Sequence, residues 1–495
     1  MKPIIQKNNF TGGMTLNEKL VAKNQFHIGY GLDFTSRSGY LTNRPGFTRL
    51  TLSGSADVGL VFQGITYTTE DGNIYLGADN ATLYLGSFGS IASTHASAQT
   101  GAIRGLIEYK GFMYYPQNTT IGRSDLAGSP TYTDDWKTGL TNVDFHPMHI
   151  SADNKLYFGD DRYVASWDGT TYTAQALDIQ DDWEIQCLSD FGVNYLAIGA
   201  NNKLTTSSQS QGCKVVLWSR ANSTVWDDEI DIPEKTIYAM IDKGGYLWVF
   251  AGSNTLSVYA IPIGSRSATK VFTFENDDPQ NYEIKTYPNA VGYKDGRIYF
   301  AISCDTSASS NTIPGVYSIS LEPTNLKLNL ELNPVVTYGY SGQVNIKSLE
   351  IIGYSGQVSK GTLYVSTDNG ATENIIRENL LSGDTLYINN AGYETEWFEA
   401  PAGKKIYIQG FGIDMLPRTS NTSVMVSYKI DGDTSFTDIK ASAYQTTDGI
   451  GFFKKLSREG YRIKLKLTLT GSTNRPYVSN LYVRGQIQDD PRTDY

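Results

Sequence analysis

Residues 72–77 read GNIYLG: a turn residue, an apolar and aromatic run, then glycine. The phrase returns as GFMYYP at 111–116, NKLYFG at 154–159, NYLAIG at 194–199, GYLWVF at 245–250 and GRIYFA at 296–301. The start-to-start steps are 39, 43, 40, 51 and 51 residues. A short apolar run rich in aromatic and β-branched residues and bounded by turn residues reads as a strand buried on both faces. A β unit recurring every ~40–50 residues has the period of propeller blades. One such sheet cannot cover both of its apolar faces alone, and stacking in a closed ring covers them all. The sequence therefore predicts a β-propeller of six blades, with seven as the alternative. Strands from DVGLVFQGITYTT (57–69) and GVYSISLE (315–322) are expected to close the ring.

The surroundings of each copy agree. NKLYFGDD is followed by RYVASWDGTTYT with a turn at Asp168-Gly169, and NAVGYKDG precedes GRIYFA with a turn at Asp295-Gly296. Both pairs are ordinary hairpin chemistry. The 495 residues include 48 Gly and 34 Tyr, which suits strands and tight turns, and no long window carries the 3.6-residue apolar spacing of a helix.

The pattern changes near residue 335. GYSGQV occurs at 339–344 and again at 353–358, too close together for two blades, and the copies frame NIKSLEII (345–352) as the start of a new domain. TLYVSTDNGATENI (362–375) is echoed by SVMVSYKIDGDTSFTDI (423–439), and each is followed by a further strand pair, KKIYIQGFGI (404–413) or YRIKLKLTL (461–469). Two related halves suggest a β-sandwich built by duplication. The expected plan is an all-β chain: an extended arm with a hairpin over 1–50, a propeller over 51–335 and a C-terminal β-sandwich over 336–495. In YRIKLKLTL, Tyr461, Ile463, Leu465, Leu467 and Leu469 share the core face, while Arg462, Lys464 and Lys466 share the other. That basic stripe reads either as a solvated face guarding an edge or as a docking stripe for an acidic partner.

The formal net charge is -10 and the sequence pI ≈ 5.1, which argues against binding nucleic acid by phosphate neutralisation. The first 13 residues lack a signal-peptide apolar core, and no stretch reaches the length of a membrane-spanning helix. These features suggest a soluble chain made in a cytoplasm. Cys187, Cys213 and Cys304 are few, odd in number and far apart, as expected of buried free thiols. Acid-aromatic clusters recur at Asp134-Asp135-Trp136, Asp181-Asp182-Trp183 and Trp226-Asp227-Asp228. Paired carboxylates beside an aromatic platform could serve glycoside hydrolysis. Recurrence at about one-blade intervals instead points to turn and packing roles. STDNGATE from Ser366 partly matches the sialidase Ser-x-Asp-x-Gly-x-x-Trp box, but Glu373 replaces the Trp and the segment is expected outside the propeller. His146 and His149 flank Pro147 and lack helical spacing for one metal, and Asp431-Gly432-Asp433 reads as a hairpin turn rather than a calcium loop. No catalytic, cofactor-binding or metal-binding residue is assigned.

The N-terminal segment has a different character. NNFTGGMT from Asn8 and FHIGYGLDFTSRSGYLTNRPGFTRL from Phe26 combine Phe10, Gly12, Gly13, Gly29, Gly39, Arg44, Pro45 and Gly46. Pro45-Gly46 is expected to form a tight turn. The segment resembles the start of tailed-bacteriophage virion proteins, in particular the tail nozzle (tail tubular protein B) family, with Asn43-Arg44 where paired arginines are common and Phe47 where Thr is usual. The resemblance implies a non-enzymatic virion subunit carrying a propeller. It would form a homo-oligomeric ring, six-fold by analogy, at the head-to-tail connector or tail. Its partners would be copies of itself and other tail proteins, with genomic DNA passing through unbound, and it would be assembled in the host cytoplasm. Candidate assembly contacts are Phe10, Arg44, Pro45, Gly46, Arg462, Lys464 and Lys466, with Arg44 suited to a bidentate contact with a carboxylate on the core or on a neighbouring subunit. The alternative is a receptor-binding or glycan-binding propeller, whose abundant aromatic rings would stack on sugars.

Overall fold

The computed structural model describes residues 3–8, 28–30, 32–33, 40–52, 62–67, 72–86, 90–96, 101–126, 131–203, 212–222, 224–253, 255–274, 283–304, 314–334, 344–352, 361–368, 373–378, 387, 391–416, 421–440, 443, 451–471 and 474–489. The chain is all-β, and its dominant feature is a ring of seven sheets, antiparallel apart from the short parallel pairing of Thr51–Leu52 with Ser90–Ala96 in the first.

Each repeated phrase is the second strand of a blade: Ile74–Ala78, Phe112–Pro116, Leu156–Asp160, Tyr195–Asn202, Tyr246–Gly252 and Arg297–Cys304. That position has a neighbouring strand on each side and a neighbouring blade on each face, so its apolar run is continuous rather than alternating. The glycine that opens the phrase has a local cause. Gly111, Gly245 and Gly296 have φ of 78°, 81° and 76°, the second halves of two-residue turns whose first halves, Lys110, Gly244 and Asp295, are also left-handed. Such turns match the twist of the strands they join.

Blade-to-blade packing runs around the whole ring. Trp248 and Phe250 of the fifth blade join Phe300 and Tyr317 of the sixth. Ala301, Val316 and Leu332 of the sixth join Ile346, Leu363 and Ile376. Ile352, Tyr364 and Ile375 in turn join Ile65, Ile74 and Leu76 of the first. These last contacts overturn the six-blade reading. The strands Asn345–Ile352, Thr362–Asp368 and Glu373–Glu378 form a seventh blade rather than opening a second domain, and Phe47–Arg49 from the N-terminal segment is its fourth, outermost strand. The propeller thus extends to residue 378, not 335, and borrows a strand from before residue 51. The supposed duplication falls with it, since one copy of the echo is a blade and the other lies in the sandwich. Ser366 and Asp368 of the partial sialidase box belong to this seventh blade, inside the propeller.

Most of the remaining strands form two facing sheets. One orders Pro3–Asn8, Val478–Asp489, Lys404–Met415 and Gly451–Gly460; the other orders Ile28–Tyr30, Ala391–Glu394, Arg462–Gly471, Thr422–Ile430 and Thr437–Asp438. Between them lie Ile406, Phe411, Ile413, Val424, Leu465 and Leu467, with Phe411 and Tyr428 stacked at 5.2 Å. This core is continuous with that between the fifth and sixth blades, and Leu32 and Leu41 of the N-terminal segment belong to the same cluster. Sandwich and propeller therefore share one apolar interior.

The described residues of the N-terminal segment include several short strands, but Pro45-Gly46 is not a tight turn. Gly46 does not take a positive φ, and the chain runs from Thr42–Asn43 through Pro45 into Phe47–Arg49 without reversing. Its hairpin lies earlier, where Leu32–Asp33 pairs with Thr42–Asn43. The strap stays straight because each part has a different partner: Leu41 bonds Val478 of the sandwich in both directions at 2.9 Å, and Phe47–Arg49 pairs with Glu378, Arg377 and Ile376 of the seventh blade.

Candidate functional site

Arg44 lies where strap, sixth blade and seventh blade meet, and it is 4% exposed. Its guanidinium donates to Glu331 on the outermost strand of the sixth blade and to Glu378 at the end of Glu373–Glu378 in the seventh. Lys294, closing the sixth blade's innermost strand, donates to the other oxygen of Glu378. Glu331 also accepts from Ser318 and from Asn329 Nδ2 at 3.1 Å, and that amide donates at 3.2 Å to the Leu32 carbonyl of the strap. Arg297 donates from Nε to Ser318 Oγ at 2.8 Å and from Nη2 to the Lys327 carbonyl at 2.6 Å. The Arg44 guanidinium rests 4.9 Å from the centre of the Phe47 ring. Burial opposes charge on Arg44, but the two glutamates outweigh it and hold the guanidinium more firmly protonated than usual. Burial likewise opposes charge on Glu378, and Lys294 and Arg44 outweigh it, so its carboxyl is held below the ordinary range. Of the two recipients considered for Arg44, the structure shows the core. A guanidinium so enclosed is not presented to a neighbouring subunit.

The other assembly candidates scatter. Phe10 lies outside the described residues. Pro45 bridges Tyr387, and Gly46 is buried. The strand Arg462–Gly471 is not an edge, since it pairs with Ala391–Glu394 on one side and Thr422–Ile430 on the other. Its basic stripe is internally matched: Lys466 and Lys464 lie 3.4 and 3.9 Å from Glu394, and Lys464 is only 8% exposed. Arg462 is exposed and stacks on Trp397 at 4.5 Å. Tyr461, expected in the core, is 46% exposed because the strand starts one residue later; its amide N–H donates to Asp431 Oδ1 at the hairpin bend.

The acid-aromatic clusters take separate structural roles. Trp136 packs edge-on against Tyr114, Trp167 and Tyr172, and Gln117 Nε2 donates to Asp134 Oδ1 at 2.7 Å. Asp181 pairs with Arg162, and Asp228 with Arg266. His146 is buried, with its ring nitrogens 3.0 and 3.1 Å from the Gly159 and Asn118 carbonyls, so it staples the second blade to the third; His149 lies 3.3 Å from Asp190. The three cysteines are buried free thiols.

A feature the sequence did not reveal lies on the ring axis. A cavity of about 330 Å3 opens at the end where the first strands of the blades begin. The second, third, fourth, sixth and seventh blades each contribute to it: Arg104, Phe145, Gln186, Tyr287 and Lys347 among others. Arg104 donates to Asp144 Oδ1 at 2.9 Å, and its carbonyl accepts from Asn289 Nδ2 at 2.7 Å, a bond that spans 185 residues and ties the sixth blade to the second. Asn289 in turn accepts from the Leu349 amide at 2.8 Å. The Lys285 and Lys347 ammonium groups lie 5.7 and 5.9 Å from the centre of the Tyr287 ring. Lys285 pairs with Glu283 at 3.0 Å, whereas Lys347 has no carboxylate partner among the described residues. Arg104, Phe145, Gln186, Tyr287 and Lys347 come from loops and strands separated by 41 to 243 positions, and only ring closure by the seventh blade brings Lys347 to the others; no local motif announces the site.

Glu350 stands on the same first strand as Lys347, half-buried and without a hydrogen-bond or ion partner among the described residues. Burial pushes its carboxyl up to about 8. A folded-state value above the unfolded one makes the folded chain the better proton binder, so this contribution to stability is complete below the unfolded value and is lost as pH rises through 8. Glu350→Gln is expected to match the parent chain at pH 4 and to exceed its stability by roughly 1–2 kcal/mol at pH 9, since partial exposure limits the full effect. Urea midpoints measured across that range check it.

No protein-family model matches the chain, and no curated protein matches it. Solved structures of similar shape exist. The extracellular domain of a B. thetaiotaomicron protein described as a hybrid two component system is 10% identical with a TM-score of 0.47, and the match covers 76% of this chain but 43% of that domain. The WD40 domain of Neurospora crassa Pan2 is 9% identical with a TM-score of 0.43, covering 65% of this chain and 90% of that one. The computationally designed Ika8 protein is 12% identical with a TM-score of 0.37, covering 67% and 99%. At such identities the likeness concerns fold alone.

Proposed function

We propose that the chain is a non-enzymatic structural subunit of a bacteriophage virion, of the tail nozzle or connector type. In this reading copies assemble into a ring, six-fold by analogy, that joins other tail or head-to-tail components and lets the genome pass without specific binding. The observation that carries it is the position of the segment resembling virion proteins. Residues 40–50 are not an appendage: they supply a strand of the seventh blade, a buried cation at the seam and a bridge to the sandwich. The segment that bears the resemblance is thus the one that fixes how the two parts of the subunit are held, as a load-transmitting shell protein requires. The net charge of -10 suits a conduit that repels DNA. Mass photometry of the purified chain should give closed rings, on its own or on addition of particle extracts, and labelled chain should appear in the tails of purified particles. A monomer under every condition together with absence from particles overturns the reading. A second reading, recognition of a surface glycan, is favoured by the axial cavity.

A further inference from the structure

We propose that the axial cavity is a binding site for an acidic saccharide, a sugar ring bearing one carboxylate. This is independent of ring assembly. The volume, about 330 Å3, falls within the range of small-ligand sites. Its walls combine the two surfaces that a sugar needs. Tyr287, Pro288 and Phe145 offer apolar faces to ring C–H groups, while Gln186 and Asn289 offer amides and Asp144 a carboxylate to hydroxyls.

The charge distribution selects a monoanion. Arg104 and Lys347 are cationic and Asp144 is anionic, leaving one positive charge in excess. Asp144 already occupies Arg104 at 2.9 Å, and Lys347, with no carboxylate partner among the described residues, is left to meet the ligand's own carboxylate. A phosphate dianion would bring a second negative charge towards Asp144, and a neutral sugar would leave Lys347 unmatched. The site is also pre-organised. Asn289 is fixed through its side-chain amide by the Arg104 carbonyl and through its backbone carbonyl by the Leu349 amide, and Tyr287 packs against the core shared by the sixth and seventh blades.

Saturation-transfer NMR and calorimetry on the full chain test this with glucuronate, a galacturonate trimer, glucose, acetate and inorganic phosphate. The expected result is binding of glucuronate or the trimer, at least tenfold weaker binding of the other three, and at least tenfold loss in both Lys347→Met and Tyr287→Ala. Lys347 is half-exposed, so its substitution should leave the unfolding midpoint unchanged, which confirms that any loss is local; if Tyr287→Ala shifts that midpoint, Gln186→Leu takes its place. Lys347→Arg should retain most of the binding. Failure of both uronates to bind overturns the proposal. So does acetate or phosphate binding as tightly as glucuronate, which would make this a plain anion site, or uronate binding indifferent to the substitutions.

Discussion

Arg44→Met is expected to destabilise the chain by about 3–5 kcal/mol, read as a fall in the urea midpoint followed by tryptophan fluorescence. The size follows from what is left behind. Glu331 and Glu378 lie 6% and 2% exposed, and removal of the guanidinium leaves them to Lys294 and Arg297, which do not replace it at the seam. Desolvated carboxylates without partners are the costly outcome, whereas the intact cluster is worth far less than the sum of its attractions. The triple variant Arg44→Met, Glu331→Gln, Glu378→Gln should therefore recover most of the loss, because neutral amides do not require a counter-charge. A single variant as stable as the parent, or a triple variant no better than the single one, would contradict this account. The pH dependence has a definite sign. The carboxyl of Glu378 is depressed in the folded chain, so its contribution is present above the unfolded glutamate value of about 4.3 and disappears as pH falls through the lower folded value. The gap between parent and Arg44→Met should be fully open at pH 7 and narrow in acid.

Arg44 also shows how far the sequence could be read. The propeller was legible because the second strand of each blade is buried on both faces and must be apolar throughout, and because the turn before it demands left-handed residues such as Gly111 and Gly296. The seventh copy, GTLYVS at 361–366, obeys the same rule. It reads as part of the sandwich because it follows the paired GYSGQV phrases and is echoed at 423–439, so the echo masks the blade pattern. Borrowing of Phe47–Arg49 was not legible at all: pairing across more than 300 residues leaves no local trace. Arg44 could be singled out as a carboxylate-seeking residue, yet its recipients could not, because Glu331 and Glu378 sit on strands whose neighbours are set by ring closure. Lys464 makes the same point from the other side. Period-two alternation placed it on the outer face correctly, but alternation says nothing of the adjacent strand, and Glu394 on that strand makes the position a matched charge rather than a free one.

Truncation of the strap should separate its two duties. A chain starting at residue 40 keeps Arg44, the strand Phe47–Arg49 and Leu41, but loses Pro3–Asn8 from one sandwich sheet and Ile28–Tyr30 from the other. It is expected to stay soluble with the propeller intact, and hydrogen exchange should accelerate at Val478–Asp489 and Ala391–Glu394, the strands left unpaired on one side. A chain starting at residue 53 also loses the seam cation and the outer strand of the seventh blade. Glu373–Glu378 then becomes an open edge with Ile375 and Ile376 behind it, and Glu331 and Glu378 are left short of a counter-charge. The expected result is aggregation on expression or, after refolding, loss of a cooperative transition, with solubility restored by adding a peptide of residues 40–52 in trans. The same peptide carrying Arg44→Met should rescue poorly, because strand pairing alone does not neutralise the two glutamates. If the chain starting at residue 53 unfolds cooperatively at the parent's midpoint, the seventh blade does not depend on its borrowed strand. The strap would then be an accessory to the fold rather than the element that closes it.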